Sequence, residues 1–90
     1  MLETDLTDGE LDEIEALCGA ATKAPWESFV EGRDHTSGSS FIRTGGLGDK
    51  SPDIELLGAT TADQDFIARA RQDVPRLVQE VRRLRKLLQR

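Results

Sequence analysis

Residues 65–88 read DFIARARQDVPRLVQEVRRLRKLL, and this stretch decides the fold. Its apolar residues recur every three or four positions, at Ile67, Ala70, Val74, Leu77, Val81, Leu84 and Leu88. This spacing predicts a long amphipathic helix over 62–90, because it aligns those side chains on one helical face. With Ile67 at heptad position a, the a residues are mostly β-branched and leucine recurs at d, as in parallel two-stranded coiled coils. We therefore expect a homo-oligomer, with a dimer favoured, held by a C-terminal seam of Leu77, Val81, Leu84 and Leu88.

Pro75 lies inside this predicted helix, where a proline removes one backbone hydrogen bond and clashes with the preceding turn. Asp73-Val-Pro75 also has the form of a new helix start, with Asp73 as its cap. The helix is therefore expected to kink near 71–74 or to split into 62–72 and 74–90, and the continuous seam favours a kink. We expect the part up to Leu77 to pack on the chain's own core and residues 81–90 to contact a second chain.

The two ends of the chain carry opposite charge within a total of −5. Residues 1–17 contain seven acidic and no basic residues, whereas residues 69–90 contain eight basic and two acidic residues. This asymmetry favours an acidic helix lying along a basic one. In heptad notation Glu80 and Arg85 occupy g and e positions, so they are also candidates for an ion pair between two chains.

Arginines recur at every c position and form a basic face, made of Arg69, Arg76, Arg83 and Arg90. Guanidinium groups bind phosphates, so this face makes nucleic-acid binding an alternative function. The acidic pI of the chain, about 4.8, argues against nucleic-acid binding. The chain also lacks the usual DNA- or RNA-binding motifs.

The remaining elements precede this helix. Residues 1–6 are expected to form a flexible tail, and Thr7 with Glu10 forms a capping box that starts a helix over 7–22. The apolar face of that helix is expected to hold Leu11, Ile14, Leu17, Cys18 and Ala21. Before the last helix, Thr61 or Asp63 is the expected N-cap.

Short runs rich in β-formers lie between the two helices, within 26–57. They predict three antiparallel strands near 26–32, 39–44 and 53–57, and the glycine-rich 45–52 connection between the last two is expected to be mobile. The sequence thus predicts one α+β domain in the order αβββα. A three-stranded antiparallel meander is packed by an acidic N-terminal helix and a long, Pro-kinked basic C-terminal helix.

The first β-connection, over 31–43, is unusually polar and is a candidate recognition loop, since loops on a rigid scaffold often carry binding residues. Its proposed polar contacts are Glu31, Arg33, Asp34, His35 and Arg43. The same residues are poor candidates for chemistry. A metal site needs three or four ligands, and His35 is the sole histidine. Asp34, His35 and Ser37 are too close in sequence to form a hydrolase triad.

No cofactor site is expected either, because the Gly45–Ser51 segment lacks the spacing of a phosphate-binding loop. Cys18 is the single cysteine, so an internal disulfide is excluded. The acidic N-terminus lacks a signal peptide's apolar segment, and no apolar run is long enough to span a membrane. We therefore expect a cytoplasmic protein without a membrane partner.

Two segments resemble small bacterial and phage proteins of no established activity, including the Ead-like phage family. Ala20-Ala-Thr-Lys-Ala-Pro-Trp26 resembles their Ala-Ala-Thr-Pro-Gly-Pro-Trp element, and residues 65–84 resemble the C-terminal helix of those proteins. The resemblance implies a helix, a small sheet and a second helix, with Trp26 packing under the last one. The chain departs from it at Lys23-Ala24 and in the 45–52 loop.

These observations favour a non-enzymatic protein–protein interaction module that self-associates through its coiled-coil seam and has a phage or mobile-element origin. One alternative is an antitoxin or immunity-type inhibitor that binds a protein partner through the polar hairpin or the acidic helix. The other alternative is nucleic-acid binding through the basic face.

Overall fold

A computed structural model describes residues 5–45 and 53–89. It is an α+β structure with the element order α1 (Asp8–Ala20), β1 (Glu27–Phe29), β2 (Phe41–Arg43) and α2 (Thr61–Leu88). The chain divides into two compact units. The helical unit combines the chain up to Ala21 with the chain from Val74 onwards, and the sheet unit comprises Thr22–Asp73.

Helix α1 begins as the sequence predicts. The Thr7 hydroxyl accepts a hydrogen bond from the Glu10 amide at 3.0 Å, and the Glu10 carboxylate accepts one from the Thr7 amide at 2.8 Å. This capping box satisfies two donors that a helix start leaves unpaired. The expected apolar face is only partly used, because Leu11 is 1 % exposed whereas Leu17 is 73 % exposed.

The two strands pair antiparallel, with Ser28 opposite Ile42 at the centre of the register. The predicted third strand over 53–57 is reduced to one antiparallel bridge between Ile42 and Ile54. The structure therefore differs from the expected three-stranded meander, since only one residue of that segment joins the ladder. Residues 46–52 of the predicted mobile loop, and residues 1–4 of the predicted tail, lie outside the described residues.

The core of the sheet unit lies between the strands and the first half of α2. Ile42 is fully buried, and Ala68 of α2 is 3 % exposed. Gln64 is also buried, and its side-chain amide donates to the Ser28 hydroxyl at 2.9 Å and to the carbonyls of Phe29 and Phe41. Helix α2 is thus joined to the sheet by a polar side chain that bonds both strands.

Helix α2 begins after Thr60, which caps it by exchanging two hydrogen bonds with Asp63. The expectation that Thr61 or Asp63 is the cap is therefore wrong by one to three residues. The helix runs unbroken through Pro75, so the alternative of a split into 62–72 and 74–90 is also wrong. The kink at Pro75 stays a prediction.

Candidate functional site

In the helical unit, the side of α2 that faces α1 is mainly polar. Arg82 donates through Nη2 to Asp12 Oδ1 at 2.8 Å and to Glu15 Oε1 at 2.6 Å. Arg85 pairs with Asp8 at 2.9 Å and also donates to the Leu6 carbonyl. The prediction that the acidic first helix pairs with the basic last helix is therefore confirmed within this unit.

The contacts of Arg82 and of Glu80 shift the pKa values of these two groups. Hydrogen bonds to Asp12 and then Glu15 raise the pKa of the Arg82 guanidinium above its ordinary value. On another side of α2, the Arg83 guanidinium lies 2.6 Å from Glu80 and lowers the pKa of that carboxyl. An ion pair between Glu80 of one chain and Arg85 of another would have to compete with existing contacts, because Glu80 already pairs with Arg83 and Arg85 with Asp8.

The C-terminal seam is largely exposed. Leu77, Leu84 and Leu88 are 62 %, 46 % and 85 % exposed, and Val81 is half-buried. Leu87, which the heptad analysis missed because it falls at a g position, is 43 % exposed beside them. A helical wheel places Leu87 next to the d leucines, and this would have identified it from the sequence. The structure leaves a strip of apolar side chains open along the last three turns of α2.

The seam and the packed side of α2 are different faces of one helix. Successive residues of a helix are rotated by about 100°. Val78 is buried, and Arg82 and Arg85 bond acids of α1. These three residues occupy e and b positions and are centred on a different direction from the a and d leucines. The contacts between charged residues in the helical unit are therefore formed without the seam leucines.

In the sheet unit, the a and d residues of the heptad pattern do not form the main packing face of α2. We expected Ile67 and Ala70 to close the domain's own core, but Ile67 is 38 % exposed. The buried contacts are instead made by Gln64 and Ala68, which lie on the adjacent face. Ala70 and Val74 are half-buried and Leu77 is 62 % exposed, so the predicted face up to Leu77 is buried only in part.

The structure brings the predicted recognition-loop residues together, but most of their polar groups contact one another. Arg33 donates to Asp34 and, at 2.7 and 3.0 Å, to both carboxylate oxygens of Asp65. The hydrogen bond from Arg33 and a second from Ser28 lower the pKa of Asp65 to about 2. Hydrogen bonds from Arg33 and the Val30 amide lower the pKa of Asp34.

His35 has its own polar contacts within the same loop. Its Nδ1 accepts from the Ser37 amide at 3.1 Å and lies 2.7 Å from the Ser37 hydroxyl. Glu31 accepts from the Gly38 amide at 2.9 Å, where a φ of 103° favours glycine. The His35 Nε2 atom is buried without a hydrogen-bond partner in the described part of the chain.

Arg43 covers an aromatic pair on the face of the sheet that points away from Gln64. Phe29 and Phe41 stack at 5.4 Å between ring centroids, and the Arg43 guanidinium lies 4.9 Å from the centre of the Phe29 ring. This is a cation–π contact. All five loop residues thus have roles in the fold of the hairpin.

The basic face is partly neutralised. Arg69 pairs with Asp73 at 3.0 Å, and Arg83 pairs with Glu80. Arg76 is exposed, and Arg90 lies outside the described residues. Two of its four arginines therefore have carboxylate partners one turn away on α2.

Within 5–45 and 53–89, no group of three or more His, Cys, Asp or Glu side chains is arranged to hold a metal ion. In the same residues no helix is both long and apolar enough to cross a membrane. Comparisons with protein-family models, curated proteins and solved structures find no match to this chain. The resemblance to the Ead-like phage family therefore stays a prediction.

Proposed function

We propose that this protein is a non-enzymatic protein–protein interaction module that dimerises through the C-terminal seam. The observation that carries the proposal is the exposure of Leu77, Leu84 and Leu88 on a helix whose other face already packs within its own unit. A regular row of leucines in water is unfavourable. Burying one such side chain contributes about 1.5–3 kcal/mol, so a twofold seam that covers several of them has enough apolar surface for a stable dimer.

The intrachain contacts of α2 restrict how a second helix approaches. In an ordinary two-stranded coiled coil, e and g residues flank the seam on both sides. Here Val78 and Arg85 at e positions are engaged by the chain's own fold. The second helix therefore approaches over the a, d and g residues, where Leu87 extends the apolar strip. This departs from a symmetrical coiled coil with e–g ion pairs.

The internal pairing of the polar residues supports self-association over the two alternative functions. An inhibitor that binds through the polar hairpin or the acidic helix would need free polar groups there. Arg33, Asp34 and His35 are engaged within the hairpin region, and three acids of α1 bond α2. Nucleic-acid binding through Arg69 and Arg83 would require breaking ion pairs with Asp73 and Glu80.

Sedimentation equilibrium of the full chain, from low to high micromolar concentration, tests this function. We expect the mass to rise towards twice the 9.9 kDa of one chain as concentration increases. A mass of one chain throughout this range would contradict the proposal. The cytoplasmic location and a phage or mobile-element origin remain predictions that rest on the sequence.

A further inference from the structure

On the outer edge of β1, one residue has backbone hydrogen-bonding groups that face away from β2. Ile42 and Ile54 exchange both backbone hydrogen bonds at 2.8 Å. In an antiparallel ladder the N–H and C=O of one residue point to the same neighbouring strand, and successive residues alternate sides. Ile42 therefore bonds away from β1. Its opposite residue Ser28 is in a non-hydrogen-bonded pair and directs its own N–H and C=O to the outer edge.

The residues two positions before and after Ser28 point to the same edge, but both are capped. The Gln72 side-chain amide acts like a neighbouring strand, accepting from the Trp26 N–H at 2.7 Å and donating to the Trp26 C=O at 3.1 Å. The Val30 N–H donates to the Asp34 carboxylate at 2.8 Å, and the Val30 C=O accepts from the backbone amides of Arg33 and Asp34. Within the described part of the chain, Ser28 is left without a backbone partner on this edge.

A groove of about 480 Å³ lies beside Ser28, between β1 and α2. Its wall on the helix includes Phe66, Ala68 and Arg69, and its wall on the strand includes Trp26 and Ser28. Phe66 is 74 % exposed. An unpaired strand edge beside a groove with an exposed aromatic ring has the features needed for β-strand addition.

We propose that this groove binds an extended peptide from another protein, which adds antiparallel to β1 with an apolar residue opposite Ser28 and a Lys or Arg opposite Glu27. Antiparallel addition suits this edge because a single peptide residue then bonds both the N–H and the C=O of Ser28. Because Gln72 and Asp34 occupy the edge at Trp26 and Val30, the peptide pairs with β1 only over the residues next to Ser28 and turns away from the edge on both sides.

The expected peptide sequence follows from which side chains share a face. Directly opposite residues of an antiparallel pair lie on the same side of the sheet. The Ser28 hydroxyl accepts from Gln64 and so faces α2, which directs the opposite peptide side chain into the groove beside Phe66. The next peptide residue lies opposite Glu27, which is exposed and has no ion pair in the described residues, so a positive charge is complementary.

A second copy of this chain fits the groove less well than a peptide. Twofold antiparallel pairing about Ser28 would place only the second copy's Ser28 hydroxymethyl group in each groove, leaving Phe66 uncovered. It would also set Glu27 opposite the apolar Phe29 of the other chain rather than opposite a cation. The groove and the charge at its rim therefore favour a partner with an apolar residue followed by a basic one.

The probe is the heptapeptide acetyl-Thr-Thr-Thr-Leu-Lys-Thr-Thr-amide, added to the full isotope-labelled chain and followed by NMR. We expect the Ser28 amide signal to move downfield as its N–H gains a bond. The same peptide with N-methylated leucine loses the donor to the Ser28 carbonyl, and its affinity should fall about tenfold or more. The protein concentration is held constant while peptide is added, and a separate dilution series is recorded without peptide. Movement of the Ser28 amide in the dilution series, and none on adding peptide, would indicate pairing of two copies and overturn the proposal.

Matched variants identify the groove. Phe66→Ser should weaken binding about tenfold, since the leucine loses its apolar wall. Leu57→Ser should leave binding unchanged, because Leu57 is also an exposed apolar residue but lies outside the groove. Both replace an exposed side chain, and a dispersed NMR spectrum verifies that each variant is folded.

Reversing the charge at the rim tests the peptide's orientation. The unchanged protein should bind the Leu-Lys heptapeptide better than the same peptide with Glu in place of Lys. The Glu27→Lys variant should show the reverse preference. Failure of the Ser28 amide to move at millimolar peptide, equal losses in the Phe66 and Leu57 variants, or an unchanged charge preference would each overturn the proposal.

Discussion

Leu77 and Val78 are consecutive residues of α2, yet Leu77 is 62 % exposed and Val78 is 4 % exposed. Rotation by about 100° between neighbours is enough to move a side chain from the packed side of a helix to its open side. The contrast shows that α2 has a packed side and an open side in the helical unit. One is used by the chain's own fold, and the other carries the seam that we assign to self-association.

The contact of Arg82 with Asp12 and Glu15 predicts a stabilising role for this arginine. Arg82→Gln should lower the melting temperature, because it removes the charge that both carboxylates share. Arg76→Gln is the control, since it removes the same charge from an exposed position of the same helix. The difference should shrink at high salt, which screens partly exposed charges. Equal melting temperatures for the two variants would show that the Arg82 contacts do not stabilise the unit.

The Arg33–Asp65 pair predicts a pH dependence of stability. The folded pKa of Asp65 is about 2, below its ordinary value of 3.8. A depressed carboxyl pKa stabilises the folded state above the unfolded pKa, and this contribution is lost as pH falls through the folded value. Unfolding temperatures should therefore decline between about pH 4 and pH 2, and Asp65→Asn should flatten part of that decline. Asp5→Asn, at an exposed position, is the control, and an identical slope for both variants would disprove the assignment.

Substitution of the buried Gln64 should destabilise the fold more than substitution of the exposed charged residues. Gln64→Ala removes the donor shared by the Ser28 hydroxyl and the carbonyls of Phe29 and Phe41. Leaving buried polar groups unpaired costs about 1–3 kcal/mol, so the free energy of unfolding should fall by that amount. Urea titration followed by the fluorescence of the single tryptophan measures it. Gln89→Ala, on the exposed end of the chain, should change little, and a Gln64 variant as stable as this control would be inconsistent with the role given to Gln64.

The sequence predicted the α+β class, the capping box at Thr7 and the pairing of acidic with basic helices. These features depend on local spacing and on total charge, which can be read without knowing the tertiary contacts. The choice of helical face could not be read in that way. Periodicity identifies where leucines and valines align, but the hydrogen bonds of α2 to other elements are made by residues such as Gln64, Arg82 and Arg85, whose roles depend on partners far away in the sequence.

The sheet was predicted less well for a related physical reason. Alternation at Ile54 and Leu56 indicated a strand, but strand formation also requires a continuous row of backbone partners. Only Ile54 has such a partner, on Ile42. The polar hairpin was correctly picked out as an unusual segment. Its side chains nevertheless proved to bond one another, which spacing along the sequence does not reveal.

Dimerisation through the seam requires that Leu84 lies in a contact between two chains. Sedimentation equilibrium should compare the unchanged protein with Leu84→Glu and with Leu57→Glu, which adds the same charge at an exposed leucine outside the seam. A buried leucine contributes about 1.5–3 kcal/mol and occurs once in each chain, so Leu84→Glu should weaken the dimer by about a hundredfold or more. We predict a dimer for the unchanged protein and Leu57→Glu, and a monomer for Leu84→Glu. The same mass for all three proteins at every concentration would show that Leu84 does not lie in a contact between two chains.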